Sequence, residues 1–219
     1  MASAGSPVLR DTARQASARA PRADARRNIA AILDAGQDCL ARDPDATIGE
    51  IAQAAGVGRV TLYGHFKTRA ELIDAVFARV TEQADALLEA TDTRGDPAAA
   101  LTRLTAATWA IVHQFRSLLQ AAQRELPAER IRGHHDRHLR RVDAVIARGQ
   151  RSGAFRRDLP RRWLVTTCYA VMHAAADDCN AGRLRPAEAD RAIVATLLAA
   201  FTPPGKAVPT PQRQPTRLA

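Results

Sequence analysis

Lysine is almost missing from this strongly basic chain: Lys67 and Lys206 are the only two among 32 Lys and Arg residues, so arginine carries the formal net charge of +9. A polyanionic partner, nucleic acid or a membrane surface, enters the list on that ground, though charge alone does not choose between them. Aromatic residues are scarce at 4%. The three cysteines, Cys39, Cys168 and Cys179, are an odd number with no paired spacing and no zinc-ligand pattern, so a disulfide scaffold is excluded, no metal or cofactor is expected, and a reducing cytoplasm fits best. No apolar run approaches the roughly 18 residues a membrane span requires, and the N-terminus lacks the continuous apolar segment of a signal peptide. Alternation of period two over a strand's length is missing as well.

What is present is ordinary globular material, 46% hydrophobic and 25% charged in 219 residues, which excludes a disordered or fibrous chain over most of its length. Residues 1–23 hold few sizeable apolar groups and are expected to form a disordered arm. Pro203, Pro204, Pro209, Pro211 and Pro215 make 203–219 an expected disordered tail. Between them the apolar residues recur at three and four, so the expected fold class is all-α, with an N-terminal three-helix helix-turn-helix head over 24–68 and a C-terminal helical ligand-binding and dimerisation domain over 69–202. Helices are expected at about 24–42, 48–55, 58–65, 69–90, 97–122, 128–152, 160–181 and 186–201.

The informative stretch is Thr47 to Phe66. Thr47-Ile48-Gly49-Glu50 has the form of a capping box that starts a short helix, and Gly56 can take the left-handed turn that ends it. Ile48, Ile51, Ala52, Val57, Leu62 and Phe66 supply the contacts that lock two short helices together. Arg59, Thr61, Tyr63 and His65 then face outward, with the hydrogen-bonding capacity that a helix in the major groove requires.

The run from Ile51 to Phe66, with its Ala-Gly-Val turn and its Thr-Leu-Tyr-x-His-Phe segment, followed by Arg69 and Glu71-Leu72, resembles the DNA-binding head of the TetR family of transcriptional regulators. The resemblance covers residues 24 to about 75. It implies that Thr47, Tyr63, His65 and Arg69 hold phosphates while Arg59 and Thr61 approach base edges; Lys67 and Val60 are further DNA-binding candidates, Val60 either touching thymine methyls or simply crowding the backbone. It also implies a palindromic double-stranded operator, a homodimer formed through the last two helices, and a small-molecule effector that releases the repressor from DNA. Two departures stand out: Gly58 where the family usually has a capping Ser or Thr, and Val60 where it usually has Gly or Ala. An activator, a ligand-independent regulator, or an enzyme that retains a helix-turn-helix are the alternatives. The chain lacks a nucleophile elbow, a phosphate loop and a complete metal set, so no catalytic residues and no enzyme activity are expected.

Candidate effector residues are Trp109, His113 and Arg116 near one helical face, and Cys168, Tyr169, Met172 and His173 on another. Cys168 and His173 are five apart, roughly 140° around a helix, and are not expected to pair as nucleophile and base. His134 and His138 are four apart and could share a helical face, but with no third ligand in view a solvated face is expected there. The segment 124–162, with twelve basic and five acidic residues, holds much of the positive charge outside the head.

Overall fold

The computed structural model describes the backbone of residues 7–210 and the side chains of residues 24–210. Within that span the chain forms ten α-helices and no strand: α1 (Pro7–Arg42), α2 (Ile48–Ala54), α3 (Arg59–His65), α4 (Arg69–Glu89), α5 (Pro97–Gln114), α6 (Arg116–Glu125), α7 (Ala128–His134), α8 (Asp136–Ser152), α9 (Arg161–Asn180) and α10 (Pro186–Phe201).

The short helix α2 and the start of α4 pack on the C-terminal half of α1, and short α3 packs on α2. Ile32, Leu40, Ile51 and Leu62 are fully buried there with Leu72, Ile73 and Val76 of α4. Gly36 marks the closest approach, since a Cβ at that position would stand 2.8 Å from Val76 Cγ2. α4 leaves this head and runs against α6, while α5, α8, α9 and α10 pack on one another as the body. Phe155 closes the body by packing edge-on to Phe201 at 5.8 Å, after Gly153 turns the chain in the left-handed conformation at φ 74°.

Three expectations need correction. Helix α1 starts at Pro7, so backbone that was expected to lie in an unstructured arm up to residue 23 is helical from residue 7; Ala and Arg are strong helix formers even where nothing apolar is available to pack. The helix expected over 97–122 is two, parted at Phe115 (φ −109°, ψ 20°), and the one expected over 128–152 is also two, parted at His135 (φ −92°, ψ 0°). The apolar period continues across both breaks, which hides them: Leu104 and Trp109 bury in the body, whereas Leu118 and Ala122 bury on the α6 surface that meets α1 and α4. Residues 203–210 follow α10 without helix, and Lys206 Nζ donates to Gly153 O at 3.2 Å. Residues 1–6 and the part of the proline-rich tail beyond 210 lie outside the described residues.

The arginine-dense segment 124–162 is used largely within the fold. Arg141 and Arg148 of α8 donate to the carbonyls of Thr91 and Thr93, and Arg103 of α5 donates to those of Asp92 and Arg94, so three guanidinium groups hold the α4–α5 loop. Arg130 grips Asp74 with two bonds of 2.8 and 2.7 Å, and Arg161 meets Asp143 at 2.8 Å. Carbonyl-rich loops and lone carboxylates on α4 and α8 are what a forked, always-charged donor suits best.

Candidate nucleic-acid interface and regulatory cavity

The capping box at the start of α2 is complete. Thr47 Oγ1 accepts from Glu50 N at 3.2 Å, and the Glu50 carboxylate accepts from Thr47 N at 2.7 Å. Those bonds from Thr47 hold the Glu50 carboxyl below the usual carboxylate range. Gly56 turns the chain at φ 67°, and Gly58 opens α3 with no side-chain cap. A related cap opens α4, with Thr68 Oγ1 accepting from Glu71 N at 3.1 Å and the Glu71 carboxylate accepting from Lys67 N at 2.7 Å. The α2–α3–α4 geometry is therefore fixed at its joints by short polar contacts, with Ile51, Ala52 and Leu62 buried beneath.

The outer row of α3 is open to solvent: Arg59, Val60, Thr61, Tyr63 and Gly64 are exposed, as are Thr47 and Lys67 on its flanks, and His65 is half-buried. Val60 is 87% exposed, the largest exposure among the large apolar side chains described. The Arg59 guanidinium rests across the backbone of Gly49, where an added Cβ would collide with it. It also borders a cleft of about 580 Å³ between the head and α6, shared with Tyr63, Arg69, Arg124 and Glu125.

Arg69 is tied into the fold. Its guanidinium donates to the carbonyls of Ala46 and Pro44, the latter at 2.9 Å, and Nε meets Glu125 Oε1 at 3.1 Å. All three nitrogens make contacts inside the chain, so the side chain links the loop before α2 to α6, and two of its five N–H donors are left over. Arg124 adds a second link, to Asp45 at 2.6 Å.

A small cavity of about 40 Å³ lies in the body between α5, α8 and α9. Cys168, Tyr169, Met172 and His173 line it, as their spacing on one helix led us to expect, but Trp109, His113 and Arg116 do not. Those three form a group of their own: the Trp109 and His113 rings stack at 6.0 Å, and Arg116 Nη1 donates to His113 O at 3.0 Å. Trp109 and His113 sit about a quarter turn or more around α5 from its cavity-lining face of Leu101, Leu104, Thr105, Thr108 and Val112, and Arg116 opens α6.

Residues the sequence reading missed complete the wall, notably Thr105, Thr108, His135 and His138. The break at His135 is again the cause, because it puts His134 and His138 on different helices. His134 Nε2 bonds Asp74 at 2.7 Å while His138 Nε2 lies 3.2 Å from Thr108 Oγ1, so the solvated face expected for them is instead two inward anchors. A lone intrahelical spacing could not signal this; the three histidines within His134–His138 could have prompted a test of a break. Burial pushes the Cys168 thiol up to about 12, which removes it as a nucleophile, and pushes His138 and His173 down to about 4. Among the described residues no cluster of His, Cys, Asp and Glu suits a metal ion, and no helix is long and apolar enough to cross a membrane.

A capped short helix, a glycine turn and a second short helix that shows a polar row to solvent define a helix-turn-helix head of a DNA-binding regulator. Residues 32–76 match the family described as bacterial regulatory proteins, tetR family. The chain is 43% identical over 75 residues to the HTH-type transcriptional repressor LfrR of Mycolicibacterium smegmatis, a match that covers 34% of this chain and 40% of that protein's length. The crystal structure of the TetR-like regulator LfrR from Mycobacterium smegmatis in complex with proflavine aligns over 80% of this chain and 96% of that one, with a TM-score of 0.60 and 26% identity. The regulator FadR from Bacillus subtilis, solved with stearoyl-CoA, shares the fold at a TM-score of 0.64 and 17% identity over 78% of this chain and 97% of its own. The head of this chain thus matches the tetR family model over residues 32–76, and the described residues share the all-helical fold of the LfrR structure.

Proposed function

We propose that the chain is a homodimeric transcriptional repressor that binds a palindromic operator through α3 and leaves it when a small molecule enters the body. The observation that carries this reading is the exposed row Arg59, Val60, Thr61 and Tyr63 on a helix whose neighbours are capped by Thr47 and Thr68. Arg59 is the base reader: a bidentate contact to guanine is worth roughly 1–3 kcal/mol of discrimination. Thr47, Tyr63, His65 and Lys67 set register on phosphates, and Thr61 and Val60 touch base edges. The same reading divides the chain into a reading head over 24–68 and a regulatory and dimerisation domain over 69–202.

The dimer forms through α9 and α10. Trp163, 57% exposed, heads a row that continues through Ala170 and Ala174 on α9, and exposed Ala192, Ala195 and Ala199 lie on α10. Small side chains of this kind let helices of a second copy approach closely in a four-helix arrangement. Two recognition helices then stand about 34–36 Å apart, or a multiple, to enter successive major grooves. Support for release comes from α6, which follows the cavity-lining α5 and is tied to the head by Arg69–Glu125 and Arg124–Asp45. A ligand that shifts α5 shifts α6, and with it the separation of the heads; that differential affinity is all that release requires. Consistent with regulation rather than catalysis, the LfrR relative is a repressor by name.

Selection of bound duplexes from a random pool with the purified chain, followed by gel shift, tests the reading. A palindromic consensus is expected, with Arg59→Ala relaxing base preference and Tyr63→Phe weakening all duplexes alike. Equal binding to every sequence at moderate salt would overturn it.

A further inference from the structure

The body cavity is not chemically neutral about its occupant. Leu101, Leu104 and Val142 form its apolar side, and none of the described residues that line it is acidic. A positive charge borders it, the Arg132 guanidinium 5.1 Å from the centre of the Tyr169 ring. An organic cation would enter without a carboxylate to pair with, at a large desolvation cost.

The hydrogen bonds fix the tautomers of two lining histidines. Thr108 Oγ1 has one proton and donates it to Leu104 O at 2.7 Å, so toward His138 Nε2, 3.2 Å away, it can only accept. His138 therefore carries its proton on Nε2. Its Nδ1 is a bare lone pair, buried and without any hydrogen-bond partner. His135 is the opposite tautomer: Nδ1 donates to Ile131 O at 2.8 Å, which leaves Nε2 as a lone pair. Burial keeps both rings in the neutral form at pH 7. Two lining histidines thus each hold a bare acceptor nitrogen, and an orphaned buried acceptor costs about 1–3 kcal/mol until something donates to it.

The walls near these acceptors are flat. The His135 ring stands edge-on to Tyr169 at 5.6 Å and to His173 at 5.5 Å, and Tyr169 and His173 lie 4.1 Å apart. Rings in such arrangements favour another ring among them. At about 40 Å³ the cavity is smaller than one benzene ring needs, so entry displaces a side chain. Met172, unbranched and on the wall, yields most readily.

We infer that the effector is a neutral, planar aromatic compound with at least one hydroxyl group, which donates to His138 Nδ1, with His135 Nε2 as the acceptor for a second hydroxyl. This rests on the ligand-responsive reading and adds the ligand's chemical class to it. It also separates this chain from a regulator built for a cationic dye.

Calorimetric titration of the full chain at pH 7.5 with the three benzenediols, the corresponding dimethoxybenzenes, benzoate and benzylammonium tests it. At least one diol is expected to bind, and its dimethoxy counterpart, which keeps the ring and both oxygens but has no donor, to bind at least tenfold more weakly. His138→Phe, which retains a ring and drops the acceptor, is expected to remove that difference. Equal or tighter binding of the dimethoxy compound, tighter binding of benzoate or benzylammonium, or no binding by any diol overturns the assignment. Gel shift on the selected operator, run without ligand and then with each compound, separates the two levels. If benzylammonium binds and releases DNA, the effector class is wrong and release stands; if the chain reads no operator, the regulator reading itself has failed.

Discussion

Arg69 Nε and Glu125 Oε1 lie 3.1 Å apart, tying the first residue of α4 to the last residue of α6. The same guanidinium also holds the carbonyls of Pro44 and Ala46 in the loop before α2. One side chain thus joins three segments, the recognition head, the connecting helix and the helix that continues from the cavity wall.

Arg69→Met should lower stability by about 1.5–3 kcal/mol, because it leaves two carbonyls and a carboxylate without their charged donor. Glu125→Gln should cost under about 1 kcal/mol, as a partly exposed pair contributes little. Urea denaturation followed by circular dichroism measures both. A loss at Arg69 no larger than at Glu125 would show the carbonyl contacts to be idle.

Thr47→Ala removes one half of the first capping box and should destabilise by about 1 kcal/mol, whereas Thr47→Ser should retain most of it. Because the α2 N-terminus is also a phosphate contact in the proposed complex, Thr47→Ala should weaken binding to every duplex equally. Comparison of operator and random duplexes by gel shift checks this, and a selective loss on the operator alone would contradict it.

Gly149 sits beneath Phe155, and a Cβ there would penetrate the aromatic ring, whereas Gly133 in α7 faces open space. Gly149→Ala should cost about 1–3 kcal/mol through overpacking. Gly133→Ala should be neutral or stabilise by about 0.5–1 kcal/mol through helix propensity. Thermal melts of the two variants should move in opposite directions or differ by several degrees.

Stability should fall as pH drops below 7. His138 and His173 are pushed by burial from the ordinary 6.5 to about 4, so between those values the unfolded chain binds protons that the folded chain refuses. Their neutral burial costs nothing above 6.5, and the penalty grows as pH falls toward 4, by up to about 1.4 kcal/mol per pH unit for each proton. Urea midpoints at pH 7.5, 6 and 5 measure the slope. A pH-independent midpoint in that window would mean that neither imidazole is excluded from water.

Much of this was legible in the sequence where structure is local. Thr47 and Glu50, Gly56 and the Leu62 and Phe66 pair act within a few residues of one another, so their spacing announced the head almost to its ends. The cavity was half legible. Cys168, Tyr169, Met172 and His173 fall on one unbroken helix, where periodicity is a reliable guide to a shared face. Trp109 and His113 fall on a different face of α5 from its cavity-lining residues, Arg116 lies beyond a break at Phe115 that no Gly or Pro signals, and His138 follows another at His135. Arg69 shows a different limit: nothing near it in sequence reveals carbonyls 23 and 25 residues away or a carboxylate 56 residues on.

The arginines of 124–162 have a consequence for how the protein meets any polyanion. A pI near 10.8 counts protons, but a heparin column counts donors that can turn outward, and guanidinium groups held by Thr91, Thr93, Asp74 and Asp143 cannot turn without giving up those bonds. The chain should therefore elute at lower salt than its isoelectric point implies.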